Sequence, residues 1–203
     1  SLTPGASSRC STALVSAAKR LVERSDIVDL ATYEDSRSTT RPSALAAKKA
    51  RRLHLHENLT MLFENSDTLR YQIHEIMRAE RMVCEADILH EIATYNAILG
   101  SPGDLGSVLL IGITDETQRR RFLTKWVGLQ ERLYVVLNDG SRVFARFDPA
   151  QVGKDRISAV HYLWFPVDGR VPVAIGTEFE GLESELTLTP EHVAAFTEDL
   201  ART

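Results

Sequence analysis

Two β-rich runs, residues 132–137 and 142–147, are separated by Asn138-Asp139-Gly140. Asn and Asp tolerate the left-handed backbone and Gly adopts it freely, so this joint predicts a tight hairpin, and a hairpin commits its strands to antiparallel pairing. A second hairpin is predicted over residues 52–64. There Leu53 and Leu55 alternate with His54 and His56, giving one apolar and one imidazole face. Glu57-Asn58 then turns the chain into Leu59-Thr60-Met61-Leu62-Phe63, which is apolar enough for a central strand. Further strands are predicted at 108–113, 158–167, 171–175 and 181–188, and no strand–helix–strand unit repeats. The fold class that follows is α+β: a largely antiparallel sheet with helices packed on one face, preceded by an N-terminal helical extension.

The helical segments are set by period and caps. Leu14, Ala18, Leu21 and Val22 give helical spacing over residues 11–24, behind a small, polar tail at 1–10. A polar break at 35–43 precedes a short basic helix at 44–52, where Lys48, Lys49, Arg51 and Arg52 form the densest positive cluster. Ser66-Asp67 opens a helix that runs to about residue 82, and a second starts near 85–87 and stops at Gly100 and Pro102. Residues 115–129 form another helix, and Thr189-Pro190-Glu191 opens the last. The domain reading is a tail and helix over 1–25 and one α+β domain over 26–203, with a candidate subdomain boundary at 100–106.

Composition narrows the function classes. A net charge of -4 disfavours a general nucleic-acid binder, because phosphate affinity comes mainly from lysine and arginine. The basic cluster and the Arg119–Arg121 run read as solvated faces, without the interleaved aromatics that stack on bases. Cys10 and Cys84 make no disulfide framework, which points to a reducing cytoplasm. No stretch approaches the roughly 18 consecutive apolar residues of a membrane span, and the N-terminus lacks the apolar core of a signal peptide. Dinucleotide-binding, phosphate-loop and nucleophile-elbow glycine motifs are all missing.

Within the 66–82 helix, Leu69, Ile73, Ile76 and Met77 form an apolar face that continues through Glu80 to Cys84. Glu80 is therefore expected to be buried and then paired, protonated or bound to a metal. The pairing reading gives it Arg51, Arg52 or Lys48, and the sharper reading makes it a functional acid. Gln72, Glu75 and Arg78 share another face, which reads as a solvated surface with a weak ion pair. His54, His56, His74-Glu75 and His90-Glu91 supply ligand types for zinc or iron, but the spacing matches neither His-Glu-x-x-His nor a repeated Glu-x-x-His, so surface histidines are expected. His161 and Tyr162 fall on opposite faces of their strand. Asp148, Asp155 and Arg156 read as a loop-capping ion pair at a sheet edge, and Arg146 with Arg156 as an alternative anion clamp.

Four segments in order, LFENSDTLRYQIHEIMRAER, EIATYNAILGSPGDL, ARFDP and DRISAVHYLWFP, resemble a bacterial family known as domain of unknown function 3501. The resemblance covers about residue 27 to the C-terminus, beginning near Tyr33-Glu34. Positions matching its pattern are Glu64, Gln72, Glu75, Arg78, Glu80, Tyr95, Asn96, Arg146, Asp155, Arg156 and Tyr162. None of the histidines His54, His56, His74 and His90 is among them. The family carries no assigned activity. Its members are often encoded near rubrerythrin-like and iron-sulfur oxidoreductase proteins, which implies a redox or oxidative-stress role by association.

Two readings of function follow. In the first, the protein is an accessory or ligand-binding protein that meets a rubrerythrin-like or iron-sulfur partner through a sheet edge and the basic 41–52 segment. In the second, it is an enzyme or a metal- or cofactor-binding protein with its site between the 66–82 helix and the sheet. Glu64, Glu80 and Tyr95 are then acid–base groups, Glu64, Glu75 and Glu80 candidate iron or zinc ligands, and Arg78 and Arg156 hold an anionic substrate. Gln72, Glu75, Arg146, Asp155 and Tyr162 complete the candidate ligand-binding set. A free sheet edge and an apolar helix face are compatible with a homodimer.

Overall fold

The computed structural model describes residues 18–203. The first hairpin forms where the sequence places it: β1 (Arg52–His56) and β2 (Leu59–Phe63) pair antiparallel, with Leu53 and Leu55 buried and His54 exposed. β2 is an inner strand, continued by β3 (Leu105–Ile111) and β6 (Val160–Phe165) in the order β1-β2-β3-β6. The Asn-Asp-Gly joint links β4 (Leu133–Val136) to β5 (Arg142–Phe144), and β7 (Ala174–Thr177) and β8 (Ser184–Thr187) complete a second sheet, β5-β4-β7-β8. All pairings are antiparallel. The single sheet expected from the sequence is thus two sheets of four strands.

The first sheet is covered on both sides. Leu62 and Val108 sit opposite each other in the β2–β3 register and pack against Leu69, Ile73 and Met77 of α2 (Ser66–Glu80) and Ile88 and Ile92 of α3 (Glu85–Asn96). The alternate residues, among them Met61, Phe63, Leu109, Leu163 and Phe165, face the second sheet and Phe196 of α5 (Pro190–Leu200). Phe63 and Phe196 touch with ring centroids 4.5 Å apart. Helices α2 and α3 therefore form the one-face layer that the sequence predicts, while α5 lies on the side of the second sheet. The remaining helix, α4 (Glu116–Lys125), contributes Leu123 to this second core. Among the described residues no helix is long and apolar enough to cross a membrane.

Two segments differ from expectation. Residues 35–43 are no break: α1 is one helix, Leu30–Lys49, running through Pro42 and capped at its start by Asp29. Its own apolar content is too low to predict it. Its hydroxyls bond preceding carbonyls, Ser36 to Thr32 at 2.9 Å and Ser43 to Thr40 at 2.8 Å, and polar contacts to α2 hold it. In the predicted 11–24 helix, residues 11–17 lie outside the described residues and 18–23 are not helical. They form an irregular strap. Val22 is buried in the helix-side core, and its backbone N–H and C=O both bond the Asn96 side chain at 3.0 and 2.9 Å. The Arg20 guanidinium bonds the carbonyls of Leu99, Gly100 and Ser101 at 2.7–2.8 Å. Asn96, one of the positions matching the family pattern, is thus occupied in anchoring the strap.

His74 departs from a surface histidine. It is buried and stacked on Tyr33 with ring centroids 4.5 Å apart. Nε2 accepts from the Val28 N–H at 3.1 Å and Nδ1 faces the Arg70 carbonyl at 2.9 Å, which fixes a neutral imidazole donating from Nδ1. Burial holds its pKa below the ordinary histidine value.

Candidate functional site

Glu64 follows β2 immediately, and its N–H bonds the Gly106 carbonyl at 3.0 Å, which keeps it in the plane of the sheet under the start of α2. Its carboxylate is buried, accepts from the Thr68 hydroxyl and lies 4.0 Å from the Lys48 ammonium. Lys48 in turn donates to the Gln72 side-chain oxygen at 3.1 Å. Burial pushes the Glu64 carboxyl above the usual carboxylate range, against the pull of Lys48. Burial, and after it the Glu91 carboxylate, raises the pKa of the Tyr95 phenol. Of the predicted residues, Glu64 and Gln72 thus share Lys48, while Tyr95 and Tyr162 line one cavity.

Tyr95 joins this buried cluster to a cavity. A hollow of about 350 Å³ opens at the β6 edge, lined by Tyr95, Glu91 and Ile98 from the α3 side and by Tyr162, Trp164 and Asp148 from the other. The local rules are simple. Tyr162 and Trp164 are two apart on β6 and so share a face, and Glu91 and Tyr95 are four apart on α3 and share another. Asp148 is held by its own loop, its carboxylate accepting from the Ala150 N–H at 2.9 Å. Sequence reasoning missed Lys48 as a site residue, along with Glu91, Asp148 and Trp164. The two spacings just named were the available signal.

A larger hollow of about 580 Å³ lies between α1, α2 and the strap, beside Tyr33, Ser36, Thr40, Ser43, Ala44 and Tyr71. It is the groove left where the small residues of α1 face α2, and it holds none of the residues predicted for the site. The β6-edge cavity is the better candidate, because the predicted tyrosines converge there.

The other predicted residues lie elsewhere. Glu80 is exposed, because the chain leaves the helix at Arg81 in a left-handed conformation (φ 51°) and no described residue covers its end. Its expected partners are engaged elsewhere: Lys48 with Glu64, and Arg51 with Asp199 at 2.7 Å. Glu75 and Arg78 do not form the expected weak pair. Glu75 accepts from Arg37 at 2.7 and 2.9 Å and from the Tyr33 hydroxyl at 2.6 Å, while Arg78 pairs with Glu34 at 2.8 Å. Arg37 holds the Glu75 carboxyl down to about 2. Both residues thus fasten α1 to α2. Glu64, Glu75 and Glu80 form no joint metal site, and among the described residues no group of three or more His, Cys, Asp or Glu is placed to hold a metal ion.

The expected clamp and loop cap at 146–156 do not assemble. Arg146 pairs through its backbone with Trp164 and is exposed. Asp155 and Arg156 are exposed and make no ion pair among the described residues, and Arg156 lines a separate open cleft with Arg119. Neither Arg78 nor Arg156 lines the cavity at the β6 edge.

Residues 21–200 match a family described as "Protein of unknown function (DUF3501)". The chain belongs to the DUF3501 family. The match begins a few residues before the segment that first showed the resemblance and so takes in the end of the strap, Val22 included. A crystal structure described as a novel protein of unknown function from Burkholderia pseudomallei is similar, with a TM-score of 0.79 and 27% identity over 88% of this chain and 98% of that one. No curated protein matches the chain. The DUF3501 fold seen here is therefore shared with an experimentally determined protein at low sequence identity.

One consequence of the Glu64 environment is measurable. A carboxyl whose folded pKa lies above its unfolded value adds most relative stability below the unfolded pKa and loses it as pH rises through the folded one. At neutral pH the Glu64 charge is therefore a cost to the fold. Glu64→Gln keeps the shape and the Thr68 bond, so the variant is expected to match or exceed the wild type by about 1 kcal/mol at pH 7, with the gain vanishing near pH 4. Urea unfolding at the two pH values checks this. A loss at pH 7 means that Lys48 stabilises the carboxylate more than burial penalises it.

Proposed function

We propose that the protein binds a small ligand in the cavity at the β6 edge, between α3 and the Tyr162–Trp164 strand. The supporting observation is convergence: aromatic, apolar and a few polar groups from distant parts of the chain line one hollow whose volume falls in the range of small-molecule sites. Glu64 does not line the cavity wall, which favours binding over acid–base turnover at that carboxyl. In this reading the Glu64–Lys48–Gln72 cluster fixes the Tyr95 hydroxyl that the ligand meets. A redox-accessory role with a rubrerythrin-like or iron-sulfur partner stands second, since it draws on the gene neighbourhood of the family alone.

The two tryptophans supply the test. Trp164 lines the cavity, whereas Trp126 is buried in the core on the opposite side of the first sheet. In ¹⁵N-labelled protein titrated with neutral, cationic and anionic fragments, binders are expected to move the Trp164 indole signal and leave that of Trp126 in place. Fragments that bind without moving Trp164 would locate the site elsewhere.

A further inference from the structure

The cavity at the β6 edge has a definite electrostatic character. Its walls carry the ring systems of Tyr95, Tyr162 and Trp164 and the carboxylates of Glu91 and Asp148, and among the described residues no lysine or arginine lines it. Three of the cations that the sequence offered are committed or line other surfaces. Lys48 is held by Gln72 and Glu64, Arg78 by Glu34, and Arg156 lines a different cleft. Arg146, whose backbone pairs with Trp164, does not line the hollow. Among the described residues Glu91 makes no ion pair, and Asp148 uses its Oδ1 on its own loop. Aromatic faces carry negative quadrupole potential and attract an ammonium group within about 6 Å, the more so when water is excluded. Carboxylates at the rim add the same sign of field. An anion would meet two like charges in the lining, and the Arg146 guanidinium, on the strand position opposite Trp164, stands outside that lining.

We infer that the ligand of this cavity is a small organic cation, an ammonium compound whose charged head sits among Tyr95, Tyr162 and Trp164 with Glu91 and Asp148 beside it. This rests on the cavity being a ligand site and adds the chemical class. Affinity then depends on ring faces and charge together. Replacing the cationic head by a neutral group of the same shape keeps the apolar contact and loses the electrostatic part, about tenfold in affinity.

The test compares three probes of one shape: choline, its neutral isostere 3,3-dimethylbutan-1-ol and the anion 3,3-dimethylbutanoate. Each is titrated while the Trp164 indole signal is followed. The expected result is choline binding about tenfold more tightly than the alcohol, with the anion weakest. Tyr162→Leu, at a side chain exposed enough to leave the fold intact, is expected to weaken choline at least fivefold and the alcohol little. Glu91→Gln is expected to narrow the gap between choline and the alcohol. Equal or tighter binding of the alcohol or the anion at Trp164 would overturn the cation class and leave the ligand cavity standing. If none of the three moves Trp164, the cation class is overturned as well, and the wider fragment titration then decides whether the cavity binds anything.

Discussion

Asp199→Ala is expected to cost about 3–5 kcal/mol of folding stability, the range found when one partner of a buried ion pair is removed. Asp199 lies near the end of α5, with 6% of its side chain exposed, and its two oxygens accept from Arg51 at 2.7 and 2.8 Å. The Asn65 amide shares one of them at 2.8 Å. Arg202 is close on the other side and keeps its own partners, Asp67 and Glu198, each at 2.7 Å. Deleting Asp199 therefore strands Arg51, which is 4% exposed and would retain the Ala47 carbonyl and a distant Glu198. The carboxylate ties the end of α1, the start of α2 and the last helix together across 148 residues of sequence. Urea unfolding measures the loss, and Asp199→Asn, which keeps one acceptor, is expected to fall between the wild type and the alanine variant. A loss under about 1 kcal/mol for Asp199→Ala would show that Arg51 is readily solvated when unpaired.

The second large effect is steric. Gly106 lies in β3 directly beneath the short turn Ala97–Leu99 that ends α3. A Cβ there would stand 2.3 Å from the Ile98 carbonyl oxygen and 2.6 Å from the Leu99 Cα, both backbone atoms that cannot rotate away. Gly106→Ala must therefore lift the turn off the sheet, opening the contacts of Ile98 and Leu99 with the helix-side core. A cost of about 3 kcal/mol or more is expected, in line with overpacking at rigid neighbours. Because Ile98 also lines the cavity and Gly106 sits opposite Trp164, the same variant is expected to move the Trp164 indole signal without any ligand. Gly112, whose Cβ would meet nothing, is the control: Gly112→Ala is expected to leave both stability and spectrum close to wild type.

What could be read from the sequence followed the range of the interactions. Both hairpins were legible because their turns and alternation are local, as was the Thr189 cap of α5, while the cap of α2 is Asn65, one residue before the expected Ser66-Asp67. The helix α1 was not, because its stability comes from Arg37 and Tyr33 meeting Glu75 and from Arg78 meeting Glu34, none of which its own residues announce. The apolar stripe of α2 held for Leu69, Ile73 and Met77, left Ile76 half-buried, and failed one turn later, since helical period alone does not say where the chain turns at Arg81. Of the site, Glu64, Gln72, Tyr95 and Tyr162 were named in advance, yet the sheet register that carries Tyr162 toward Tyr95 is a long-range property. Arg51 and Lys48 were singled out as basic, but their partners, Asp199 and Glu64, were settled only by tertiary structure.

The measurement closest to the central claim is a crystal structure of the protein soaked with a mixture of neutral, cationic and anionic fragments. The account predicts ligand density between Tyr95, Tyr162 and Trp164, within reach of Glu91 and Asp148, and loss of that density in Tyr162→Ala. Density confined to the groove between α1 and α2, with the β6-edge cavity empty at saturating fragment, would contradict it.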